Sequence, residues 1–198
     1  MRGVVFLGDR ELALKDFPDP TPGSGEVVVA MKASGMCGSD LKHYRAVESD
    51  PGRHVIAGHE PCGVVAAVGA GVSADFAPVG ARVMVHHYKG CGRCKHCRVG
   101  WSQLCRDGMT IYGITGDGGH APFMRVPAST LVPLPDALSF EEGAAISCGT
   151  GTAYAALSRI DVSGRENLVT HRFNLNEAEA AYRLFDTQTT GKAVLVFC

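Results

Sequence analysis

The length and composition of the chain are those of an ordinary globular protein. Its 198 residues can form one large domain or two small ones, and 45% of them are hydrophobic and 20% charged. A net charge of −1 gives no electrostatic basis for binding nucleic acid or an anionic membrane. The apolar run near the N-terminus is too short for a signal peptide, and no run approaches the roughly 20 apolar residues of a membrane span. We therefore expect a cytoplasmic protein.

Short strands dominate the predicted secondary structure from the N-terminus onward. Residues 4–17 alternate loosely between apolar and polar positions and carry charges, which predicts an exposed hairpin. The other predicted strands are rich in valine or bounded by glycine and proline, and they cover residues 26–31, 63–68, 81–85, 121–126, 130–134 and 193–197. Many short strands at close intervals favour a barrel or a sandwich.

Helical signals appear late in the chain. Ser139 followed by Glu142 is typical of a capping box at a helix N-terminus. Residues 152–157 fit a short helix. Residues 176–186 fit an amphipathic helix whose apolar side chains fall near one face, with Asn174 or Asn176 as its cap.

The strongest sequence signal is the loop that contains Cys91, Cys94, Cys97 and Cys105. Their C-x2-C-x2-C-x7-C spacing lets four thiols close on one tetrahedral zinc ion, whose bonds to sulfur are about 2.3 Å long. Arginine and lysine residues of the same loop would offset the roughly two negative charges of such a site. A disulfide cluster is the alternative, but a chain without a secretory leader favours metal. Because four sulfur ligands leave no open position, a zinc ion there would be structural.

A second group of potential zinc ligands is spread along the chain. Cys37, His59 and Cys148 form a Cys2His set, which gives a zinc ion three protein ligands and leaves the fourth position for water or substrate. Their spacing alone does not show that they converge, because they lie far apart in sequence. The alternative is that Cys37 and Cys148 are small buried residues and His59 is a core histidine. Taken one at a time, the three residues leave both interpretations open.

Several motifs that occur together give the chain a family resemblance. Besides the four-cysteine loop, these are residues 35–40, 58–60, 80–83, 118–121 and 148–154, in the family's order and spacing. With them the sequence resembles the zinc-dependent alcohol dehydrogenases of the medium-chain dehydrogenase/reductase family, over residues 1 to about 165. The resemblance implies a mainly β fold with some α. The implied fold is a GroES-like β-barrel catalytic domain that would carry both zinc ions, without a doubly wound Rossmann sheet.

The resemblance also assigns roles to individual residues. It implies that Cys37, His59 and Cys148 hold a catalytic zinc ion, which polarises the substrate oxygen as a Lewis acid. Glu60 would lie beside that zinc or alternate as a ligand, and Ser39 would pass the hydroxyl proton outward. The substrate implied is a small-molecule alcohol or carbonyl compound, with NAD(P) as the cofactor.

The surroundings of this predicted zinc site agree only partly with the family. Asp40 would orient His59 by a hydrogen bond to its second ring nitrogen. The family's relay histidine often lies five residues after the first cysteine, where this chain has Lys42 followed by His43. The outer proton relay therefore differs here. The remaining histidines His54, His86 and His87 lie outside the ligand motif, and we expect them not to contact metal.

The family's cofactor domain has no evident counterpart in this sequence. The family places its NAD(P)-binding domain after the segment that corresponds to residues 154–160. Here the next stretch, residues 166–173, already resembles the family's C-terminal ending. We therefore interpret residues 1–198 as a single GroES-like zinc-binding catalytic domain. Residues 167–198 would be its C-terminal return segment, joined after a deleted cofactor domain near residues 165–167.

Two glycine-rich stretches do not replace the missing dinucleotide site. Residues 68–74 fit a variant of the dinucleotide fingerprint, but Pro78 and Gly80 interrupt any long helix after it. We expect a turn between barrel strands there. Residues 149–152 lack a third glycine and a preceding buried strand.

Two functions of different classes follow from this interpretation. The first is an alcohol- or polyol-dehydrogenase-like oxidoreductase that alone lacks NAD(P)-dependent turnover, because nothing receives the hydride. The alternative is a non-catalytic zinc scaffold or self-assembling module. In that case the apolar surface normally covered by the cofactor domain would favour a homo-oligomer.

Overall fold

The computed structural model of the chain describes residues 1–47, 55–157, 169–187 and 192–197. The predicted junction near residues 165–167 and the side chain of His54 lie outside the described residues. The described part contains eleven β-strands and five α-helices. The strands are β1 (Arg2–Gly8), β2 (Glu11–Asp16), β3 (Glu26–Gly35), β4 (Glu60–Val68), β5 (Arg82–Val85), β6 (Tyr88–Lys89), β7 (Thr110–Ile111), β8 (Phe123–Pro127), β9 (Leu131–Pro133), β10 (Val169–Asn174) and β11 (Lys192–Val196). The helices are α1 (Asp40–Tyr44), α2 (Lys95–Arg98), α3 (Phe140–Ala145), α4 (Gly151–Leu157) and α5 (Ala178–Asp186).

A seven-stranded sheet forms the centre of this structure. Its strand order is β10-β11-β3-β4-β5-β9, and β8 pairs with β3 outside that path. Along one edge β3 pairs with β4. Along the other edge its residues 26–30 pair with β8 and its residues 33–35 pair with β11. Apart from the parallel pair β10 and β11, these pairings are antiparallel. Such a network of short antiparallel strands around one shared strand agrees with the predicted barrel.

The valine-rich strand β3 is longer than the sequence predicts. The prediction ended at Met31, whereas β3 continues to Gly35. Val27 and Val29 are fully buried, which suits the β-branched side chains that favour strands. The residues beyond Met31 stay extended because β4 and β11 continue to pair with them. The extra length brings the chain directly to Cys37.

The N-terminal hairpin of β1 and β2 forms as predicted, but the prediction that it is exposed was wrong for β1. Val4 and Val5 are buried. The backbone N–H of Val4 donates to the carbonyl of His120, and its carbonyl accepts from the N–H of Ala57. The loose alternation in this segment therefore reflects one strand packed against the rest of the fold.

The late helices form with small shifts of their boundaries. α3 begins at the predicted capping box of Ser139 and Glu142, and α4 covers the predicted short helix. The amphipathic helix begins later than expected, because Leu175–Glu177 form a 3₁₀ turn before α5. Its capping box uses Asn174 and Glu177. None of the helices in the described part of the chain combines the length and apolar character that a membrane span requires.

Two hydrophobic clusters position the segments that matter for the site. One lies between the N-terminal hairpin, α1 and α5, where the ring centre of Tyr182 is 4.9 Å from that of Phe6 and 5.4 Å from that of Tyr44. In the other, Ala144 of α3 packs with Cys62 of β4 and residues of β3 and β11. Together they hold α1 and the segment after α3 near the same end of β3.

Candidate metal centres

The four-cysteine loop forms a small lobe outside the main sheet. The short α2 follows Cys94, and Cys105 follows the 3₁₀ turn Ser102–Leu104. The backbone N–H of Cys91 donates to Cys105 Sγ and that of Cys94 donates to Cys91 Sγ, each at 3.3 Å. Backbone N–H groups of Cys97 and Arg106 lower the pKa of Cys94 to about 6. The local backbone therefore favours the thiolate of Cys94, whereas burial raises the pKa of Cys97 to about 12.

The sulfur positions of the lobe fit one tetrahedral zinc ion. All four Sγ atoms lie within 4.8 Å of one another, and those of Cys91 and Cys97 are 4.0 Å apart. With zinc–sulfur bonds of about 2.3 Å, a tetrahedral site separates its sulfurs by about 3.8 Å. A disulfide would instead bring two sulfurs to about 2.05 Å. The geometry therefore favours a metal site over the disulfide alternative.

The second group of candidate metal ligands, which we call the second cluster or the Cys37 cluster, brings together residues from three separate segments. Cys37 lies just past the end of β3, His59 directly precedes β4, and Cys148 lies in the π-helical turn Ile146–Thr150 between α3 and α4. The β3–β4 register pairs Gly35 with Glu60, so the two strand ends that lead to Cys37 and His59 meet. α3 packs against both strands and carries the π-turn to them. Such turns are frequent at functional sites.

The ligand atoms of this cluster also have metal-binding spacing. Those of Cys37, His59, Glu60 and Cys148 all lie within 4.8 Å of one another, and the two sulfurs are 3.9 Å apart. That separation is close to the edge of a tetrahedral zinc–thiolate site, about 3.8 Å. His59 and Glu60 are buried, whereas both cysteines are partly exposed. Two thiols and an imidazole therefore fit zinc, with access from the cysteine side.

Cys37 is the thiol of the pair that ionises first. A hydrogen bond with Cys148 lowers the pKa of Cys37, and contacts with His59 and Ser39 add to this effect against the cost of burial. The same interaction, together with burial, raises the pKa of Cys148. One negative charge is thus already favoured between the two sulfurs, as a thiolate ligand set requires.

His59 is held from behind by Asp40. Asp40 Oδ1 lies 2.9 Å from His59 Nδ1, and its other oxygen accepts the backbone N–H of Cys37 at 2.9 Å. The first contact departs from ideal hydrogen-bond alignment, so it is mainly electrostatic. Burial alone would lower the pKa of His59, but the Asp40 carboxylate raises it to about 10. His59 Nε2 faces the other way, 3.3 Å from the exposed Ser39 Oγ.

Glu60 has a partly buried counter-ion that no sequence pattern marks. Its carboxylate is fully buried and forms an ion pair with Lys192 of β11. The backbone N–H of Gly149 donates to its other oxygen at 3.4 Å. Burial raises the pKa of Glu60 to about 7, and Lys192 opposes this shift. Lys192 is brought to Glu60 by the pairing of β11 with β3, which only the folded chain reveals.

Three other polar residues named from the sequence do not join the second cluster. The ring centre of His87 lies 5.5 Å from that of His59, and His86 Nε2 lies 2.9 Å from Ser102 Oγ. Neither belongs to a group of described residues that could hold a metal ion. Lys42, which occupies the position of the family's relay histidine, is exposed on α1.

Comparison with known proteins agrees with this fold and these clusters. Residues 23–136 match the alcohol dehydrogenase GroES-like domain family. An uncharacterised zinc-type alcohol dehydrogenase-like protein of Escherichia coli (strain K12) is 42% identical over 178 residues, which cover 85% of this chain and 50% of that protein. The chain therefore belongs to the GroES-like domain family of the zinc-type alcohol dehydrogenases, as its motifs predict.

Solved structures give the same result. The crystal structure of an NAD-dependent alcohol dehydrogenase is 34% identical with a TM-score of 0.70, and the match covers 87% of this chain and 50% of that one. A cobalt- and zinc-bound thermostable alcohol dehydrogenase from Pyrobaculum aerophilum is 33% identical with a TM-score of 0.69, over 87% of this chain and 52% of that one. The chain spans about half the length of the curated relatives it matches.

Proposed function

We propose that the chain is the zinc-binding catalytic domain of an alcohol- or polyol-dehydrogenase-like oxidoreductase. The observation that carries the proposal is the convergence of Cys37, His59 and Cys148. The two sulfurs lie 3.9 Å apart and the cysteines are partly exposed, whereas His59 beside them is buried. The four-cysteine lobe would hold a second, structural zinc ion. The substrate would be a small-molecule alcohol or carbonyl compound.

The chain's own residues would bind and orient the reacting oxygen. Cys37, His59 and Cys148 would hold a zinc ion, which would supply a Lewis acid that lowers the pKa of a substrate hydroxyl. Ser39 is exposed beside His59 Nε2, so its hydroxyl is placed to accept the substrate proton and pass it to solvent. The Glu60 carboxylate lies beside the ligands, so it would become an alternating ligand if it exchanged its ion pair with Lys192 for the metal ion.

We further infer that the described C-terminal segment is a return segment of this domain. In support, β11 pairs with β3 beside the second cluster, and Lys192 contacts Glu60 there. Relatives about twice as long include NAD-dependent enzymes. A cofactor domain of such relatives would fall between α4 and β10, near residues 165–167. Without it the chain would bind zinc but would not reduce NAD(P) at an ordinary rate.

Metal analysis of the purified chain tests the zinc assignment. We expect two zinc ions per chain, one for each cluster, and the loss of one in Cys37→Ala. The matched control is Cys62→Ala, because Cys62 is a fully buried cysteine outside both clusters and burial raises its pKa to about 12. Unchanged zinc content in Cys37→Ala would contradict the assignment.

Assay of NAD(P)H formation with a panel of primary, secondary and polyhydric alcohols tests the proposed lack of turnover. We expect no NADH or NADPH signal above that of Cys37→Ala. A signal that disappears in Cys37→Ala but not in Cys62→Ala would contradict the proposed lack of turnover and support full dehydrogenase activity.

A zinc-binding assembly module is the second candidate, and the exposed aromatic side chain of Tyr154 favours it. Tyr154 lies on α4, directly after the turn of Cys148, and is 73% exposed; Leu157 of the same helix is 38% exposed. Exposed apolar side chains promote self-association where they form a contiguous patch. Light scattering should then show a homo-oligomer that Tyr154→Ser dissociates. A monomer at high concentration would reject this candidate.

A further inference from the structure

A chain of buried hydrogen bonds runs from the sheet to the back of the second cluster. Ser34 Oγ lies 2.8 Å from His120 Nδ1, and His120 Nε2 lies 2.9 Å from the Tyr182 hydroxyl. The Tyr182 hydroxyl donates to Asp40 Oδ2 at 3.3 Å. Ser34, His120 and Tyr182 are fully buried and Asp40 is 2% exposed. Four polar side chains thus meet inside the fold, where each would be costly without a partner.

The donors and acceptors of this hydrogen-bond network are compatible with one direction of donation only. Burial lowers the pKa of His120 to about 4, so its ring is neutral and has one donor and one acceptor nitrogen. Because the Tyr182 hydroxyl gives its proton to Asp40, its oxygen accepts from His120 Nε2–H. His120 Nδ1 then accepts from the Ser34 hydroxyl. In every hydrogen bond of this network, the donor therefore lies on the side away from Asp40 and the acceptor on the side nearer to it.

Asp40 connects this hydrogen-bond network to the candidate zinc ligands. Its Oδ2 accepts from both Tyr182 and the backbone N–H of Cys37, and its Oδ1 faces His59 Nδ1 at 2.9 Å. The two donors on Oδ2 fix the plane of the carboxylate. A carboxylate held in this way keeps Oδ1 against His59 Nδ1, which leaves Nε2 as the ring nitrogen available to a metal ion.

We propose that Tyr182 and His120 are positioning residues, which hold Asp40 and through it orient His59 for metal binding. The proposal rests on the zinc site proposed for Cys37, His59 and Cys148. It gives the C-terminal segment a part in the site beyond packing, because Tyr182 belongs to α5. His120 lies in the stretch of residues 118–121 that the sequence marks only as a family motif.

Removal of one oxygen atom tests this role. Tyr182→Phe keeps the ring that packs against Phe6 and Tyr44 but removes the donor to Asp40. Residues that orient metal ligands typically change metal affinity by about 10- to 100-fold when they are replaced. Because Tyr182 acts one step further out, we expect about tenfold weaker zinc binding at the Cys37 cluster. Zinc affinity of the four-cysteine lobe should stay unchanged in the same molecule.

Tyr44→Phe is the matched control. Tyr44 is buried in the same aromatic cluster and would lose the same atom, but its hydroxyl is not one of the four groups in this hydrogen-bond chain. A purely structural effect would appear in both variants and in thermal stability. The positioning role predicts that only Tyr182→Phe shifts the visible bands of cobalt(II) bound at the Cys37 cluster.

Replacement of His120 supplies a second, independent comparison. His120→Met removes the donor to Tyr182, whereas His120→Gln keeps an N–H group that can reach it. We expect His120→Met to weaken zinc binding at the Cys37 cluster as much as Tyr182→Phe does, and His120→Gln to restore part of the loss. If His120→Met does not fold, the comparison of Tyr182→Phe with Tyr44→Phe still decides.

The outcomes separate this proposal from the proposed function. If the wild-type chain binds no metal at the Cys37 cluster, both fail, because no ligand is then being positioned. If it binds zinc there and Tyr182→Phe has wild-type affinity and wild-type cobalt bands, only the positioning role is overturned. Weaker binding in Tyr182→Phe alone, with shifted cobalt bands, supports it.

Discussion

The four-cysteine lobe and the Cys37 cluster offer similar ligands but are built in opposite ways. The lobe takes all its thiols from residues 91–105, and its helix α2 buries none of its residues. The Cys37 cluster takes its ligands from three distant segments and is backed by the buried side chains of Asp40, Glu60 and Tyr182. One site is local and lies outside the core, whereas the other is assembled by the core.

This difference predicts how much each site depends on its metal. The lobe has little besides its sulfurs to hold the loop together, so metal binding and local folding should be the same event. The Cys37 cluster is arranged by strand pairing and by hydrogen bonds behind the ligands, so its geometry should persist without metal. The lobe would fold only when it binds its metal ion, whereas the Cys37 cluster would form together with the core.

Loss of the metal from the lobe should give the largest effect. In Cys105→Ser we expect the amides of the lobe to exchange at rates near those of an unfolded chain, while the amides of β3 and β4 stay protected. Hydrogen exchange followed by mass spectrometry measures both regions at once. Cys148→Ser is the control, and it should leave the lobe protected. Equal loss of protection in β3 and the lobe would remove the distinction between a local and a core-assembled site.

Gly58→Ala should damage the Cys37 cluster and spare the lobe. Gly58 directly precedes His59 and has a φ of 89°, and a Cβ there would meet the ring of His120, with Cγ at 2.6 Å. Backbone strain and overpacking together predict a loss of about 3–4 kcal/mol in the free energy of unfolding. Denaturant unfolding measures the loss, and zinc content measures each site.

The control for that variant is Gly38→Ala. A Cβ at Gly38 would meet nothing within 4 Å, so stability should change little although Cys37 is its neighbour. Similar stabilities of Gly38→Ala and Gly58→Ala would mean that the approach of His120 to Gly58 does not constrain the fold.

Acid should act on the region behind the Cys37 cluster through His120. Burial lowers the pKa of His120 from 6.5 to about 4, so the unfolded chain takes up this proton first. The stability that depends on the neutral ring is therefore complete above pH 6.5 and is lost as pH falls through about 4. The shift corresponds to ~3 kcal/mol. The free energy of unfolding, measured with urea, should fall more steeply with decreasing pH in the wild type than in His120→Gln. Parallel curves for the two proteins would contradict this role of His120.

The smallest expected effect concerns the cap of α3, the helix that leads to Cys148. The Ser139 hydroxyl accepts the backbone N–H of Glu142 at 3.2 Å, and the Glu142 carboxylate accepts the N–H of Ser139 at 2.7 Å. Ser139→Ala should lower the free energy of unfolding by about 1 kcal/mol. The exposed Ser129→Ala serves as the control in thermal unfolding. No difference between the two variants would show that the cap is not needed to hold the Cys148 segment.

The four-cysteine lobe could be predicted from the sequence because its four candidate ligands lie close together along the chain. The spacing of Cys91, Cys94, Cys97 and Cys105 limits the loop to a few conformations, and the structure brings their sulfurs to metal-binding distances. The capping box at Ser139 was accessible for the same reason, since it joins residues three apart, and Asn174 was one of the two caps expected for the amphipathic helix.

The Cys37 cluster could be predicted only in part. The family motifs named Cys37, His59 and Cys148, and the contact of Asp40 with His59 was expected, but no pattern pointed to Lys192, Tyr182 or His120 as their supports. Lys192 reaches the site through the pairing of β11 with β3, and Tyr182 reaches it through the packing of α5 on the N-terminal hairpin. The same long-range packing explains why β1 is buried although its sequence alternates like an exposed strand.

X-ray absorption at the zinc edge of Cys105→Ser is the most direct test of two independent sites. With the lobe unable to complete its four-sulfur set, we predict one remaining zinc ion per chain, at the Cys37 cluster. Its spectrum should show two sulfur neighbours at about 2.3 Å together with nitrogen or oxygen neighbours at about 2.0–2.1 Å. A chain without zinc, or a zinc ion surrounded by sulfur alone, would contradict the account of a core-assembled, open metal site.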